Sequence, residues 1–184
     1  KLFELPQGKE IRPVFHKIDW KFEKEDRGKF KYFLLKEIYD QPKIIENIAL
    51  NYSQEAKKLA RLVETAFGTF MLGCGTASYA ALAGVYFFSR VANKHVNFSI
   101  GSEFNYLENY LTPQSLVIPI SQSGETVDVI EPVKRAREKG SKIAAVVNVL
   151  GSTLYRQADT KIMLGAGMEK AVVGGRRGHI PATQ

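Results

Sequence analysis

Leu116-Val117-Ile118-Pro119-Ile120-Ser121-Gln122-Ser123-Gly124-Glu125-Thr126 is an apolar run that opens into a short polar loop. The run from Leu116 to Ile120 reads as a strand buried on both faces. Beyond the loop, Val127-Asp128-Val129-Ile130, with Val133 and Ala136, reads as an amphipathic helix. Such a helix start offers unpaired backbone N–H groups and a partial positive charge, and both attract an anion. Ser121, Ser123 and Thr126 add hydroxyl donors, Gln122 adds an amide, and Gly124 allows close approach of the backbone. The loop holds no Lys or Arg, so it is a neutral cradle of donors. Such a cradle suits a sugar monophosphate better than a nucleotide polyphosphate. The plainer reading is an ordinary helix cap built from Ser123 and Thr126. Three hydroxyls and an amide exceed what one cap needs.

Strand and helix patterns alternate around this stretch. Strands are expected at 69–72, 95–100, 116–120, 142–148 and 160–164, with helices between them at 79–91, from Ser102, at 128–138 and at 152–157. Pro132 stands as an awkward break in the helix at 128–138. This alternation predicts an α/β fold: a three-layer αβα arrangement around a five-stranded, parallel, doubly wound sheet with right-handed crossovers. In the flavodoxin-like order 2-1-3-4-5, strands one and three are neighbours at the switch point, where such sheets bind ligands. The loop after the first strand, Gly73-Cys74-Gly75-Thr76-Ala77-Ser78, then shares a crevice with Ser121–Thr126. Gly73 and Gly75 permit close approach of backbone amides, and Thr76 places a hydroxyl at a helix start. No His or Lys neighbours Cys74 in this loop, so it is not read as a nucleophile.

Residues 30–66 read as a helical preface: one helix up to Asp40-Gln41, a second opened by Pro42, and a third capped by Ser53. Residues 1–29 are mixed and charged, with a weak strand alternation from Lys9 to Phe15.

With 184 residues, 45% hydrophobic and 24% charged, the chain suits one globular domain with a short appended segment. A net charge of +7 raises the question of nucleic acid, but the basic residues are scattered among carboxylates and no nucleic-acid motif appears. No stretch is long and apolar enough to span a membrane, and the single cysteine fits a reducing cytosol. His16, His95 and His179 lack metal-ligand spacing. Lys1-Leu2-Phe3-Glu4 has no signal-peptide layout and no initiator Met, so the chain is expected to be part of a longer protein.

Together with Lys36-Glu37-Ile38-Tyr39-Asp40-Gln41-Pro42, these loops resemble the isomerase half of the glutamine–fructose-6-phosphate aminotransferase family, specifically its first sugar isomerase (SIS) domain. Cys74-Gly75-Thr76 matches the family's sugar-binding turn, Ser102-Glu103-Phe104 the motif after its second strand, and Ser121–Thr126 its phosphate loop. The resemblance implies that Ser121, Gln122, Ser123 and Thr126 hold the phosphate of fructose 6-phosphate or glucosamine 6-phosphate. It implies that Cys74, Gly75, Thr76 and Val172 line the sugar. Ala77 stands where the family usually has Ser. The implied domain organisation is a linker remnant of a glutaminase domain at 1–29, the SIS domain at 30–173 and a divergent tail at 174–184. Catalytic residues are then expected outside this chain, which alone is expected to bind and not turn over. The resemblance further implies hexosamine biosynthesis in the cytoplasm, a homodimer, and no cofactor or metal. The apolar helix over 80–88 serves that dimer or, on the plainer reading, the core. The alternative function is a non-catalytic module that senses phosphosugars.

Overall fold

The computed structural model describes residues 2–4, 6–11 and 27–167. A small antiparallel hairpin, β1 (Leu2–Glu4) with β2 (Lys9–Ile11), stands first. The strand expected from Lys9 to Phe15 is described only as far as Ile11. Two helices follow, α1 (Phe33–Asn51) and α2 (Ser53–Thr65). The α/β unit then runs β3 (Thr69–Gly73), α3 (Thr76–Ala92), β4 (Asn97–Ile100), β5 (Leu116–Ser121), α4 (Val127–Glu138), β6 (Lys142–Val147), α5 (Thr153–Gln157) and β7 (Thr160–Met163).

The five strands form one sheet in the order β4-β3-β5-β6-β7, parallel throughout. This is the expected 2-1-3-4-5 order. The physical basis is visible in the side chains, which point alternately to the two faces. Phe70, Leu72, Val117, Ile143, Ala145 and Val147 enter a core with Val129, Val133 and Ala136 of α4 and Leu154 of α5. Met71, Leu116, Ile118 and Ala144 enter the opposite core with Val63 of α2 and Ala81 of α3. Both faces are covered, so the strands read as near-continuous apolar runs.

Several local expectations are corrected. Pro42 does not open a new helix; it lies inside the unbroken α1. A proline in that position cannot donate to the Ile38 carbonyl one turn earlier. Ile38 is exposed, so water can replace the missing donor. Ser53 begins α2 but makes no capping bond; Tyr52 occupies the N-cap position. Pro132 likewise lies inside an unbroken α4. Ser102 does not cap an α-helix but lies in a 3₁₀ segment, Gly101–Tyr106, whose Phe104 is fully buried edge-on to Phe70 at 5.9 Å.

Candidate functional site: two helix starts at the switch point

Strands β3 and β5 are hydrogen-bonded neighbours, and both lead directly into helices at their carboxyl ends. At the end of β3, Gly75 forms the N-cap of α3 with φ +57° and ψ −131°, a backbone shape open essentially to glycine. The N–H of Ser78 closes back on the Gly75 carbonyl at 3.1 Å. The amides of Thr76 and Ala77 precede that bond and head the helix. The Ser78 hydroxyl also donates to the Gly75 carbonyl, at 2.7 Å, and Ser78 is buried. It therefore reinforces the turn and brings no hydroxyl to the crevice to make up for Ala77.

At the end of β5, Thr126 is the N-cap of α4, and its carbonyl takes the amides of both Val129 and Ile130 at 2.9 Å. Its side chain makes no capping bond. Instead, Thr126 Oγ1 lies 3.3 Å from Ser121 Oγ, which accepts the Gly124 amide at 3.1 Å. Ser123 Oγ accepts the Glu125 amide at 3.2 Å. Ser121, Ser123 and Thr126 are thus gathered in one turn ahead of α4. The cap role that the simpler reading gave to Ser123 and Thr126 is not made by either side chain toward α4.

A carboxylate in an anion-attracting loop is an electrostatic conflict, and the fold removes it. Glu125 turns away to the start of α5, where its Oε1 accepts the Thr153 amide at 2.7 Å. Hydrogen bonds from the Thr153 side chain and amide hold the Glu125 carboxyl below the usual carboxylate range. The Gly124 carbonyl accepts the Leu154 amide at 3.0 Å, and Ser152 caps α5 through the Tyr155 amide. The loop is therefore braced from behind by a second helix start.

Cys74 faces inward. Its sulfur packs beside Gly101 and accepts backbone N–H bonds from Gly101 and Ser102. Burial pushes its thiol up, and the charge of Asp128 adds to this, against the lowering effect of those amides. The thiol stays protonated at neutral pH and is no nucleophile. Gly75 and Thr76, at the start of α3, are exposed. Val172 lies outside the described residues, as do His16 and His179.

Beside the Ser121–Thr126 loop runs a cleft of about 580 Å³ between α1 and the carboxyl ends of the later strands. Lys36, Lys43 and Asn47 line it on the helix side, and Gln122, Asn148 and Gly167 on the other. Asn148 was not singled out by its sequence context. The only sign was a lone amide closing the run Val146-Val147. No helix among the described residues is long and apolar enough to cross a membrane.

Comparisons with known proteins agree with this geometry. Glutamine–fructose-6-phosphate aminotransferase of Fusobacterium nucleatum is 39% identical over 172 residues, 89% of this chain and 28% of the relative. The Clostridium tetani enzyme of the same name is 36% identical over 180 residues, 94% of this chain and 29% of the relative. The chain thus spans under a third of the length of these relatives. A solved structure, the C-terminal domain of glucosamine-fructose-6-phosphate aminotransferase from Francisella tularensis, superposes with a TM-score of 0.72 at 29% identity. That match covers 81% of this chain and 44% of that one. The SIS domain model matches residues 68–176, from the strand that opens the sheet to beyond its last strand, and the chain belongs to the SIS domain family.

Proposed function

We propose that this chain is the phosphosugar-binding domain of a glutamine–fructose-6-phosphate aminotransferase, and that it takes fructose 6-phosphate or glucosamine 6-phosphate. The observation that carries the reading is the pair of helix starts, α3 and α4, side by side at the switch point with no cation in either loop. Ser121, Gln122, Ser123 and Thr126 hold the phosphate, with the first amides of α4 adding to them. Cys74, Gly75 and Thr76 present backbone and hydroxyl to the sugar, and Val172 completes that wall. In the whole enzyme, ammonia from glutamine reacts with the open-chain ketose, and acid–base isomerisation yields glucosamine 6-phosphate. The relatives' names support a metabolic enzyme, and a cytoplasmic location is part of the proposal.

The test is a calorimetric comparison of fructose 6-phosphate with fructose, repeated on Thr126→Val. The parent chain is expected to bind the phosphorylated sugar preferentially. The valine keeps the volume and β-branching, and because Thr126 makes no cap bond, stability should barely change. Loss of one donor to a charged acceptor is expected to cost about 1.5–3 kcal/mol of binding, roughly tenfold to a hundredfold. Equal binding of both sugars would sink the phosphate assignment. A destabilised T126V with unchanged affinity would return the loop to a capping role.

The chain is also proposed to form a homodimer. α1 carries Phe33, Leu34, Ile38 and Ile45 yet buries none of its residues. The outer face of α3 leaves Tyr79, Tyr86, Phe87 and Val91 65–81% exposed, so core packing accounts for the inner face of this helix, around Ala81, and not for its outer one. Together these faces form more exposed apolar surface than a lone domain usually carries. Sedimentation equilibrium should show a dimer that Phe87→Glu weakens; a monomer at all concentrations would exclude it.

A further inference from the structure

We propose that Asn148 is a positioning residue that locks the chain beyond β7 to the phosphate loop, so that two walls of the crevice are held in one register. The assignment rests on the phosphosugar reading above. Asn148 is the first residue after β6, between β5 and β7 in the sheet. Its amide donates to the Gln122 carbonyl inside the phosphate loop at 3.1 Å. Its side chain works in the opposite direction. Oδ1 accepts the Ala166 amide at 2.9 Å, and Nδ2 donates to the Gly167 carbonyl at 2.5 Å.

One residue therefore ties together two segments more than forty positions apart in the sequence, through three hydrogen bonds. The carboxamide is well suited to this, because one donor and one acceptor on a flat group match the two ends of a backbone turn. The turn needs such a clamp. After β7 the last ladder bond among the described residues is Leu164 N–H to the Val147 carbonyl, and residues 165–167 have no strand partner. Gly165 and Gly167 both take positive φ, +63° and +76°, conformations with little intrinsic preference to hold the chain. The hydroxyl of Tyr52, at the junction of α1 and α2, lies where a side chain at Gly165 would have to go. The segment is thus near the helical preface as well as tied to Asn148. Gly165, Ala166 and Gly167 line the cleft together with Gln122, so the clamp sets where that wall stands relative to the loop.

An oriented wall matters because a displacement of about 1 Å in a binding group can cost far more than its small size suggests. The experiment compares the whole 184-residue chain with Asn148→Ala, Asn148→Leu and, as a control, Asn51→Ala, whose amide bonds only Asn47. Leucine keeps the branched outline of asparagine at a larger volume, so it serves if the alanine variant folds poorly. Hydrogen exchange at the Ala166 amide reads the clamp itself, and NMR titration with fructose 6-phosphate reads its consequence. In N148A and N148L the Ala166 amide is expected to exchange faster, with affinity for fructose 6-phosphate falling about tenfold. N51A should match the parent in both. Faster exchange with affinity within twofold of the parent would overturn the positioning role while leaving the phosphosugar reading intact, as would unchanged exchange. A parent chain that binds no fructose 6-phosphate would overturn that reading, and the assignment of Asn148 with it.

Discussion

Gly124→Ala is expected to cost the fold about 3 kcal/mol or more, the sum of a left-handed alanine, an overpacked contact and a damaged cap. Gly124 sits at φ +65°, where an alanine Cβ crowds its own carbonyl. A Cβ there would overlap Ser152 Oγ and lie 2.6 Å from Ser152 Cβ. Ser152 cannot simply swing aside, because it is buried and its hydroxyl caps α5. The loop or α5 must move, and the bonds from Leu154 to Gly124 and from Thr153 to Glu125 go with it. For a chain of this size the melting midpoint should fall by roughly 6–12 °C, and phosphosugar binding should vanish with the loop geometry. The double variant Gly124→Ala/Ser152→Gly removes the overlap and leaves the backbone strain, so it should recover part of the loss. A G124A variant that melts within about 2 °C of the parent would show that α5 does not brace the loop.

Gly101→Ala should do comparable damage by a different route. A Cβ at Gly101 would overlap the Asp128 carbonyl oxygen, with the carbonyl carbon at 3.0 Å and Cys74 Sγ at 2.9 Å. Pro132 explains why that carbonyl is available to be packed upon. It has no N–H to give to the residue one turn earlier, so the Asp128 carbonyl lacks its helical partner and the backbone of Gly101 comes close instead. An added methyl must push α4 away from the segment after β4. That separates the start of α4, with the Ser121–Thr126 loop ahead of it, from the turn that carries Cys74. The expected cost is about 3 kcal/mol, at the upper end for overpacking, since the obstacle is backbone on both sides. Cys74→Ala in the same chain relieves only the softer contact and should not restore stability. Thermal unfolding of G101A, C74A and the double variant decides the matter: rescue by C74A would mean that the sulfur, not the Asp128 carbonyl, sets the spacing.

Much of the architecture was legible from local pattern. Runs such as Phe70-Met71-Leu72 and Ala144-Ala145-Val146-Val147 are apolar at every position, which only a strand covered on both faces tolerates. Alternation with helices then leaves a parallel doubly wound sheet, and the strand order follows. The loops after β3 and β5 were legible for the same reason: their glycines, serines and threonines sit where a strand must turn into a helix. The belonging to the SIS family follows from motifs of this kind.

What the linear pattern left open are relations between segments distant along the chain. Ser123 and Thr126 look like caps in sequence; only the packed loop shows Thr126 turned to Ser121 and away from α4. Glu125 lies beside these cap candidates in sequence, yet it serves α5, because that helix start lies behind the loop in space. Pro42 and Pro132 look like breaks. Their helices continue because one orphaned carbonyl sits at an exposed turn and the other is met by Gly101. Gly101 carries no local signal, and Asn148 only that of a lone amide closing an apolar run. Periodicity along a strand or helix reports which face is buried, through the hydrophobic effect acting residue by residue. It is silent on which backbone groups, tens of residues apart, the finished packing will press together. The sequence by itself therefore determined the sheet, its order and the two polar loops at its switch point. The bracing of those loops by α5, Gly101 and Asn148 was decided only by the tertiary structure, where close packing decides which partners lie within reach of each polar group.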